Sequence, residues 1–255
     1  MEALRVEGLS KKFGGVQAVN GVSFSVSIGE KLAVIGPNGA GKTTLFNLLN
    51  GQELATAGSI YLFRQDITNM PAYRRAKLGM GRSFQLVSLF PNLSVLHNVL
   101  IAIQGTKPTS FQLFRSITAY KHLLTRAQEL LEAKALWEKR DDLVQTLSYG
   151  EQRRLEIAFS LASDPKLLLL DEPSCGLTAT ESADIVTTIL GLAEDITVIV
   201  VAHDMDLVFS LAKRIMVLHY GQIIVDGTPE EVKADSKVKE IYMGIEDGAG
   251  NARAS

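Results

Sequence analysis

A chain of 255 residues with 46% apolar and 21% charged side chains can bury a substantial core, which excludes an intrinsically disordered protein. Its 26 basic and 28 acidic residues leave a net charge of −2, so nothing in the balance points to a nucleic-acid partner. The single cysteine, Cys175, rules out an intrachain disulfide and fits a reducing compartment, and the longest apolar run, residues 196–202, is too short to span a bilayer. The opening residues Met1 to Arg5 carry an early acid and no apolar signal core, so no secretion leader is expected. If the protein works at a membrane, other chains supply the spans.

Residues 4–28 read as antiparallel strands, because Val22, Phe24, Val26 and Ile28 alternate with Ser23, Ser25 and Ser27. Phe13 lies in the Gly-flanked turn before this alternation, where it either packs into the core or stays partly exposed and stacks on a base. Residues 31–35 form a short buried strand. Gly36, Pro37, Asn38, Gly39, Ala40, Gly41, Lys42, Thr43 and Thr44 then fit G-x-x-x-x-G-K-[ST], and residues 45–49 supply an apolar helix face closed by Gly51. In that strand–loop–helix setting the glycines let backbone N–H groups converge on phosphate oxygens, and the helix points its positive end at the same anion. Lys42 would reach the β- and γ-phosphates and the Thr43 hydroxyl would ligate Mg²⁺.

Beyond this loop, residues 59–63 read as a strand. Gln85 offers an acceptor to a metal ion and a donor to water. Leu86, Leu89, Phe90 and Leu93 surround a Pro91-Asn92 turn. Residues 105–120 look like an exposed connection, and 121–137 like a helix with Leu123, Leu124, Ala127, Leu130 and Leu131 on one side. The helical stretch of about 86–162 interrupts an alternating β/α pattern and reads as an inserted subdomain. Ser148 and Glu151 form a capping box opening a helix, and Gly150 in its first turn leaves N–H groups open to an anion.

Residues 166–170 make a continuous apolar run, the pattern of a central strand buried on both faces, ending in Asp171-Glu172-Pro173. Two carboxylates at the carboxyl end of such a strand suit Mg²⁺ binding by Asp171 and polarisation of an attacking water by Glu172. Cys175 close behind reads as a small buried residue. A second capping box, Thr178 with Glu181, opens a helix whose Ile185, Ile189 and Leu192 share a face. His203 follows a buried strand at 197–202, so it can point at the γ-phosphate; His97, His122 and His219 read as packing or solvated. Residues 215–219 and 222–226 form a hairpin, Thr228, Pro229 and Glu231 start a last helix, and 246–255 is a frayed tail.

The P-loop, Gln85, Leu147-Ser148-Tyr149-Gly150-Glu151-Gln152, Asp171-Glu172 and His203 occur in the order found in ATP-binding cassette ATPases, and residues 3–245 resemble that family. Within it the chain looks most like the ATPase subunit of bacterial branched-chain amino-acid importers, through Lys12 to Gly15, Gly81 to Gln85, Leu89 to Val95, Ser148 to Ile157 and Gly227 to Val232. Departures from the family pattern are Tyr149, where glycine is commoner, Thr178, where most members carry Asp, and Cys175.

The resemblance implies an α/β fold: a P-loop NTPase sheet core, an N-terminal antiparallel β subdomain and an inserted α-helical subdomain. It implies ATP and Mg²⁺ as cofactors and Phe13 as the adenine-stacking ring. Glu172, His203 and Gln85 become the catalytic group, and Thr43, Gln85 and Asp171 the metal ligands. The partners implied are a second cassette paired head to tail, transmembrane permease subunits and, indirectly, an extracytoplasmic solute-binding protein. Ser148, Gly150 and Glu151 would face the nucleotide held by the second cassette. The location implied is the cytoplasmic face of the membrane. An ATPase of a lipid or lipopolysaccharide export complex, and a soluble cassette acting on ribosomes or DNA, are the alternative readings. The segment after Gln85, with Leu89, Phe90 and Leu93, is expected to dock the membrane subunits.

Overall fold

The computed structural model describes residues 1–83, 89–105 and 121–241. In chain order its strands and helices are β1 (Glu2–Phe13), β2 (Val16–Ser27), β3 (Lys31–Ile35), α1 (Lys42–Asn50), β4 (Ala57–Leu62), β5 (Gln65–Asp66), α2 (Ala72–Lys77), β6 (Met80–Ser83), α3 (Val95–Gly105), α4 (Lys121–Glu132), α5 (Tyr149–Leu161), β7 (Leu167–Asp171), α6 (Ala179–Leu190), β8 (Thr197–Val201), α7 (Met205–Leu211), β9 (Arg214–His219), β10 (Gln222–Gly227) and α8 (Pro229–Ala234).

Two sheets carry the fold. One is antiparallel, in the order β2-β1-β4-β5; the other has the order β10-β9-β3-β8-β7-β6, parallel throughout except for the β9–β10 hairpin. The parallel strands are apolar at successive positions because both of their faces are covered. Their residues divide by period two between two cores. Leu32, Val34, Leu167, Leu169, Ile199 and Val201 pack with α1 and the antiparallel sheet, while Ala33, Ile35, Leu168, Leu170, Val198 and Val200 pack with residues of α3 to α7. The P-loop helix thus lies between the two sheets, and α3, α4 and α5 occur in sequence between β6 and β7.

The short-range signals are realised as read. Gly51 closes α1 at φ +81, and Ser148, Thr178 and Thr228 each head a helix with a reciprocal capping box to Glu151, Glu181 and Glu231. Tyr220 and Gly221, both at positive φ, turn the β9–β10 hairpin.

Several expectations need correction. Ile28 lies past the end of β2 and is exposed, since the chain turns at Gly29. Strand β4 ends at Leu62, because Phe63 and Arg64 adopt left-handed turn conformations at φ +48 and +69. Helix α4 stops at Glu132 rather than near Trp137, because Ala135 sits at φ +53, and Trp137 begins a separate 3₁₀ turn. Strand β7 is wholly buried but lies one place in from the β6 edge; β3 and β8 occupy the middle of the sheet. Cys175 is exposed rather than buried. Leu89, at 7% exposure, is a core residue, whereas Phe90 is 45% exposed. The readings at 106–120 and 246–255 fall outside the described residues.

Candidate functional site

The parallel register brings the sequence-predicted residues to one edge. Val34 of β3 pairs with Val201 of β8, Val201 pairs with Asp171 of β7, and Leu170 pairs with Ser83 of β6. The continuations of these strands therefore emerge side by side: the P-loop after β3, His203 after β8, and Asp171-Glu172 at the end of β7. Gln85 lies outside the described residues. A crevice beyond the carboxyl ends of parallel strands is the usual ligand position in open α/β sheets.

The P-loop backbone requires its glycines. At Gly36, with φ +150, an added Cβ would come 2.1 Å from the Leu218 carbonyl oxygen. At Gly41, with φ +100, it would come 2.3 Å from that of Ala18. The loop is also pinned from outside: Gly221 N–H donates to the Ala40 carbonyl at 2.9 Å, and Asn20 N–H donates to the Gly221 carbonyl at 2.8 Å. Gly41 caps α1 without a side-chain acceptor, so the first-turn N–H groups are offered to a ligand. Asn38, Gly39 and Thr43 are exposed and Thr44 is half-buried, as the motif needs.

Lys42 is buried, and its Nζ donates to the carbonyls of Gly36 at 2.7 Å and Pro37 at 2.9 Å. Burial pulls its ammonium below the ordinary value, and the charges of Glu172 and Asp171 pull it back up. The lysine and the two carboxylates therefore share one electrostatic site.

Asp171 is buried at the end of β7, and Glu172 begins the following loop in a left-handed conformation, φ +47. That backbone is costly for a glutamate. It is held by Glu172 N–H donating to the Val201 carbonyl at 2.8 Å. Glu172 Oε1 lies 3.2 Å from His203 Nε2, with the imidazole half-exposed. The arrangement can take a proton at Glu172 and orient the carboxylate through His203.

Phe13 ends β1 and is 46% exposed. Lys11 Nζ sits 4.7 Å from the ring centroid and is itself held by Glu53 and the Leu54 carbonyl, both at 2.8 Å. The turn at Ser148 is more engaged than an open helix end. Ser148 Oγ accepts from Glu151 N–H, and Glu151 binds the Ser148 N–H and, at 2.6 Å, Lys139. The Lys139 hydrogen bond, opposed by burial and helped by Ser148, holds the Glu151 carboxyl below its ordinary value. The Glu181 carboxylate lies against Gly150, where a Cβ would meet Oε1 at 2.4 Å. That approach follows from the Thr178–Glu181 capping box, a local signal, but its meeting with Gly150 is a tertiary contact that the sequence does not mark.

Sequence reasoning missed Arg75, which holds the far end of the P-loop helix, and the contact between Tyr149 and the Cys175 carbonyl.

The chain is similar to several known proteins over most of its length. Residues 19–175 match the family model described as ABC transporter, and residues 222–248 match that described as branched-chain amino acid ATP-binding cassette transporter. The high-affinity branched-chain amino acid transport ATP-binding protein BraF of Pseudomonas aeruginosa is 38% identical over 252 residues, covering 94% of this chain and 97% of that protein. A solved ATP-binding cassette of an ABC transporter in its ADP conformation superposes with a TM-score of 0.86 at 34% identity, covering 96% of this chain and 99% of that one. A dimeric cassette in a post-hydrolysis state, bound to ADP and Pi, superposes at 0.75 with 25% identity, covering 88% and 98%.

Proposed function

Because this chain belongs to the ATP-binding cassette transporter family, whose members are ATPases, we propose that it is the ATP-hydrolysing subunit driving import of branched-chain amino acids. The observation that carries the solute class is the match of residues 222–248 to the branched-chain family model, alongside the cassette match at 19–175. It favours import over the lipid-export reading.

ATP phosphates would lie in the nest of Gly36 to Thr44, with Lys42 turning from its loop carbonyls to the β- and γ-phosphates. Among the described residues no three His, Cys, Asp or Glu side chains could hold a metal by themselves. Mg²⁺ commonly takes one or two protein oxygens and completes its shell with phosphate and water. Exposed Thr43 and the Asp171 carboxylate, close enough to act on Lys42, fit that share, with Gln85 a further oxygen donor. When bound, the ion neutralises charge on the phosphates. Glu172 polarises the attacking water, and His203 steadies Glu172 and reaches the γ-phosphate. In a head-to-tail dimer, Ser148, Gly150 and Glu151 of a second cassette would close over the γ-phosphate. Glu181 would have to leave Gly150 for that, because two anions would otherwise meet.

Phe13 would stack on the adenine with the ring face not occupied by Lys11. Phe13→Ala should weaken ATP binding by about 1–3 kcal/mol, the range for a base–aromatic stack, while Tyr or Trp is tolerated. Equilibrium binding checks this; parent-like affinity with lowered stability would make Phe13 a core residue.

Among the described residues no helix is long and apolar enough to cross a membrane. By its similarity to the ATP-binding proteins of branched-chain amino acid transport, the subunit would sit on the cytoplasmic face through permease subunits, served by an extracytoplasmic solute-binding protein. A cavity of about 300 Å³ joins Asn50 at the end of α1 to Tyr73 and Ala76 of α2, Ala102 of α3 and Phe159 of α5. It spans the sheet core and the helices inserted after β6, so a permease segment seated there would feel both. Phe90, which does not line this cavity, offers a separate exposed ring on a loop pinned by buried Asn98, whose Oδ1 accepts from Phe90 N–H at 2.7 Å. Leu89 cannot serve as a docking contact, since it belongs to the core.

Reconstitution with co-purified permease subunits tests the whole reading. ATP hydrolysis should rise when leucine, isoleucine or valine is supplied with its binding protein, and Phe90→Glu or Tyr73→Glu should stop co-purification while leaving ATP binding intact. Stimulation by lipid alone would overturn the import assignment.

A further inference from the structure

The loop after β7, residues 172–178, carries Glu172 and is tied to the first turn of α5 by one side chain. Tyr149 Oη donates to the Cys175 carbonyl at 3.1 Å, three residues beyond Glu172. The same phenol oxygen accepts from Arg153 Nη2 at 3.1 Å. Arg153 Nη1 in turn donates to Glu156 Oε2 at 2.7 Å, and both members of that ion pair are buried. The guanidinium carbon lies 5.3 Å from the Tyr149 ring centroid. A phenol that accepts one hydrogen bond and donates another has its rotor fixed. The ring also lies against Gly176, at φ +76, where an added Cβ would come 3.2 Å from the ring. Further turns, Cys175 N–H to the Glu172 carbonyl and Leu177 N–H to the Ser174 carbonyl, both at 3.1 Å, make the loop a short chain of linked turns.

We propose that Tyr149 is a positioning residue: oriented by the buried Arg153–Glu156 pair, it holds the loop that presents Glu172, and it joins that loop to the turn of Ser148 and Gly150. The left-handed backbone of Glu172 is a conformation that persists only when its surroundings over-determine it, and the Tyr149 tether is one such constraint. Because Tyr149 sits between Ser148 and Gly150, a shift of that turn against a second cassette's nucleotide reaches this chain's own carboxylate through one hydrogen bond. This rests on the reading of Glu172 as the catalytic carboxylate.

Tyr149→Phe tests it, since the ring and its packing on Gly176 remain and only the hydroxyl is lost. Cys175 is the sole cysteine and is exposed, so the rate at which an aromatic disulfide reagent labels it in the full chain reports the loop directly. Labelling should quicken several-fold. In the assembled complex kcat should fall about 2- to 13-fold, the kinetic equivalent of one net hydrogen bond, while KM for ATP stays unchanged. Arg153→Met, which leaves the hydroxyl unoriented, should move both readouts the same way. Unchanged labelling and kcat in Tyr149→Phe overturn the proposal. So does a raised KM with kcat intact, which would make Tyr149 a nucleotide contact. Glu172→Gln, run in parallel, separates the premise: if that variant turns over like the parent, the carboxylate assignment fails, and the labelling rate then decides the tether alone.

Discussion

Glu172→Gln is expected to bind ATP with parent-like affinity and to hydrolyse it about 10²- to 10⁴-fold more slowly, the range for loss of a positioned general base. The amide keeps the shape of the side chain and can still face His203, which approaches Oε1 at 3.2 Å in the parent. It cannot take a proton from water at neutral pH. Binding should survive because, on the proposed reading, backbone N–H groups and Lys42 would hold the phosphates, and because Asp171 remains as a carboxylate favouring the charged lysine when Glu172 no longer does. Single-turnover hydrolysis in the assembled complex, beside equilibrium nucleotide binding, separates the two effects. A rate within a few-fold of the parent would remove Glu172 from the role. A loss of both binding and turnover would instead show that its charge is needed to keep Lys42 protonated in its buried position. On the head-to-tail reading, hydrolysis would remove the phosphate that bridges the two cassettes, so a stable closed dimer should accumulate with ATP in this variant.

What the sequence disclosed and what it hid divide along the range of the interaction. The P-loop, the strand alternation of β2 and the capping boxes at Ser148, Thr178 and Thr228 are contacts within a few residues, and each leaves a spacing that can be read. The gathering of Lys42, Asp171, Glu172 and His203 follows one step later, because parallel strands of one sheet end at one edge. Contacts between distant segments left no spacing. Leu89 and Phe90 are adjacent apolar residues, and only the packing of α3, α4 and α5 decides that the first is inside and the second is out. Glu181 reads as a cap for α6, yet it also covers Gly150 across 31 positions of chain. Tyr149 stood out as an unusual residue in its motif, but its acceptor, the Cys175 carbonyl, could not be inferred because backbone carbonyls carry no sequence signature. The exposure of Cys175 is equally invisible in the sequence: a small residue after a buried strand says nothing about whether the next turn faces inward.

Arg75→Met should lower stability by about 3 kcal/mol, through carbonyl groups left without a donor, each costing roughly 1–3 kcal/mol against the relief of no longer burying a charge. Arg75, on α2, is 1% exposed. Its guanidinium donates to the carbonyls of Leu48 and Leu49 at 2.6 Å, Met70 at 2.7 Å and Thr68 at 3.1 Å. Leu48 and Leu49 belong to the last turn of α1, where the Leu48 carbonyl has besides Arg75 a 3.3 Å bond from the Gly51 N–H and a cation is favoured by the helix dipole. Burial pulls the Arg75 guanidinium down to about 10, so it is protonated in both folded and unfolded chains near neutrality. The deficit of the Met variant should accordingly be the same at pH 6 and pH 8. Only between about pH 10 and the ordinary arginine value, where the unfolded chain holds the proton more firmly, would the parent's own stability rise with pH. For a chain of this size the loss corresponds to a fall in melting temperature of about 6–12 °C, measurable by thermal unfolding. Arg75→Lys should fall between the two, because an ammonium restores the charge but cannot reach four carbonyls with one planar fork. A melting point within 2 °C of the parent, on the order of the shift per kcal/mol, would mean that water entering from the neighbouring groove satisfies the carbonyls. The consequence for function follows from the geometry of α1: its first turn would face the phosphates in the proposed site, and its last turn hangs on Arg75, one position from Ala76 and two from Tyr73, which line that groove. Loosening the far end of the helix should therefore cost nucleotide affinity as well as stability in the Met variant, and the affinity loss should shrink in the Lys variant in step with the recovered melting temperature.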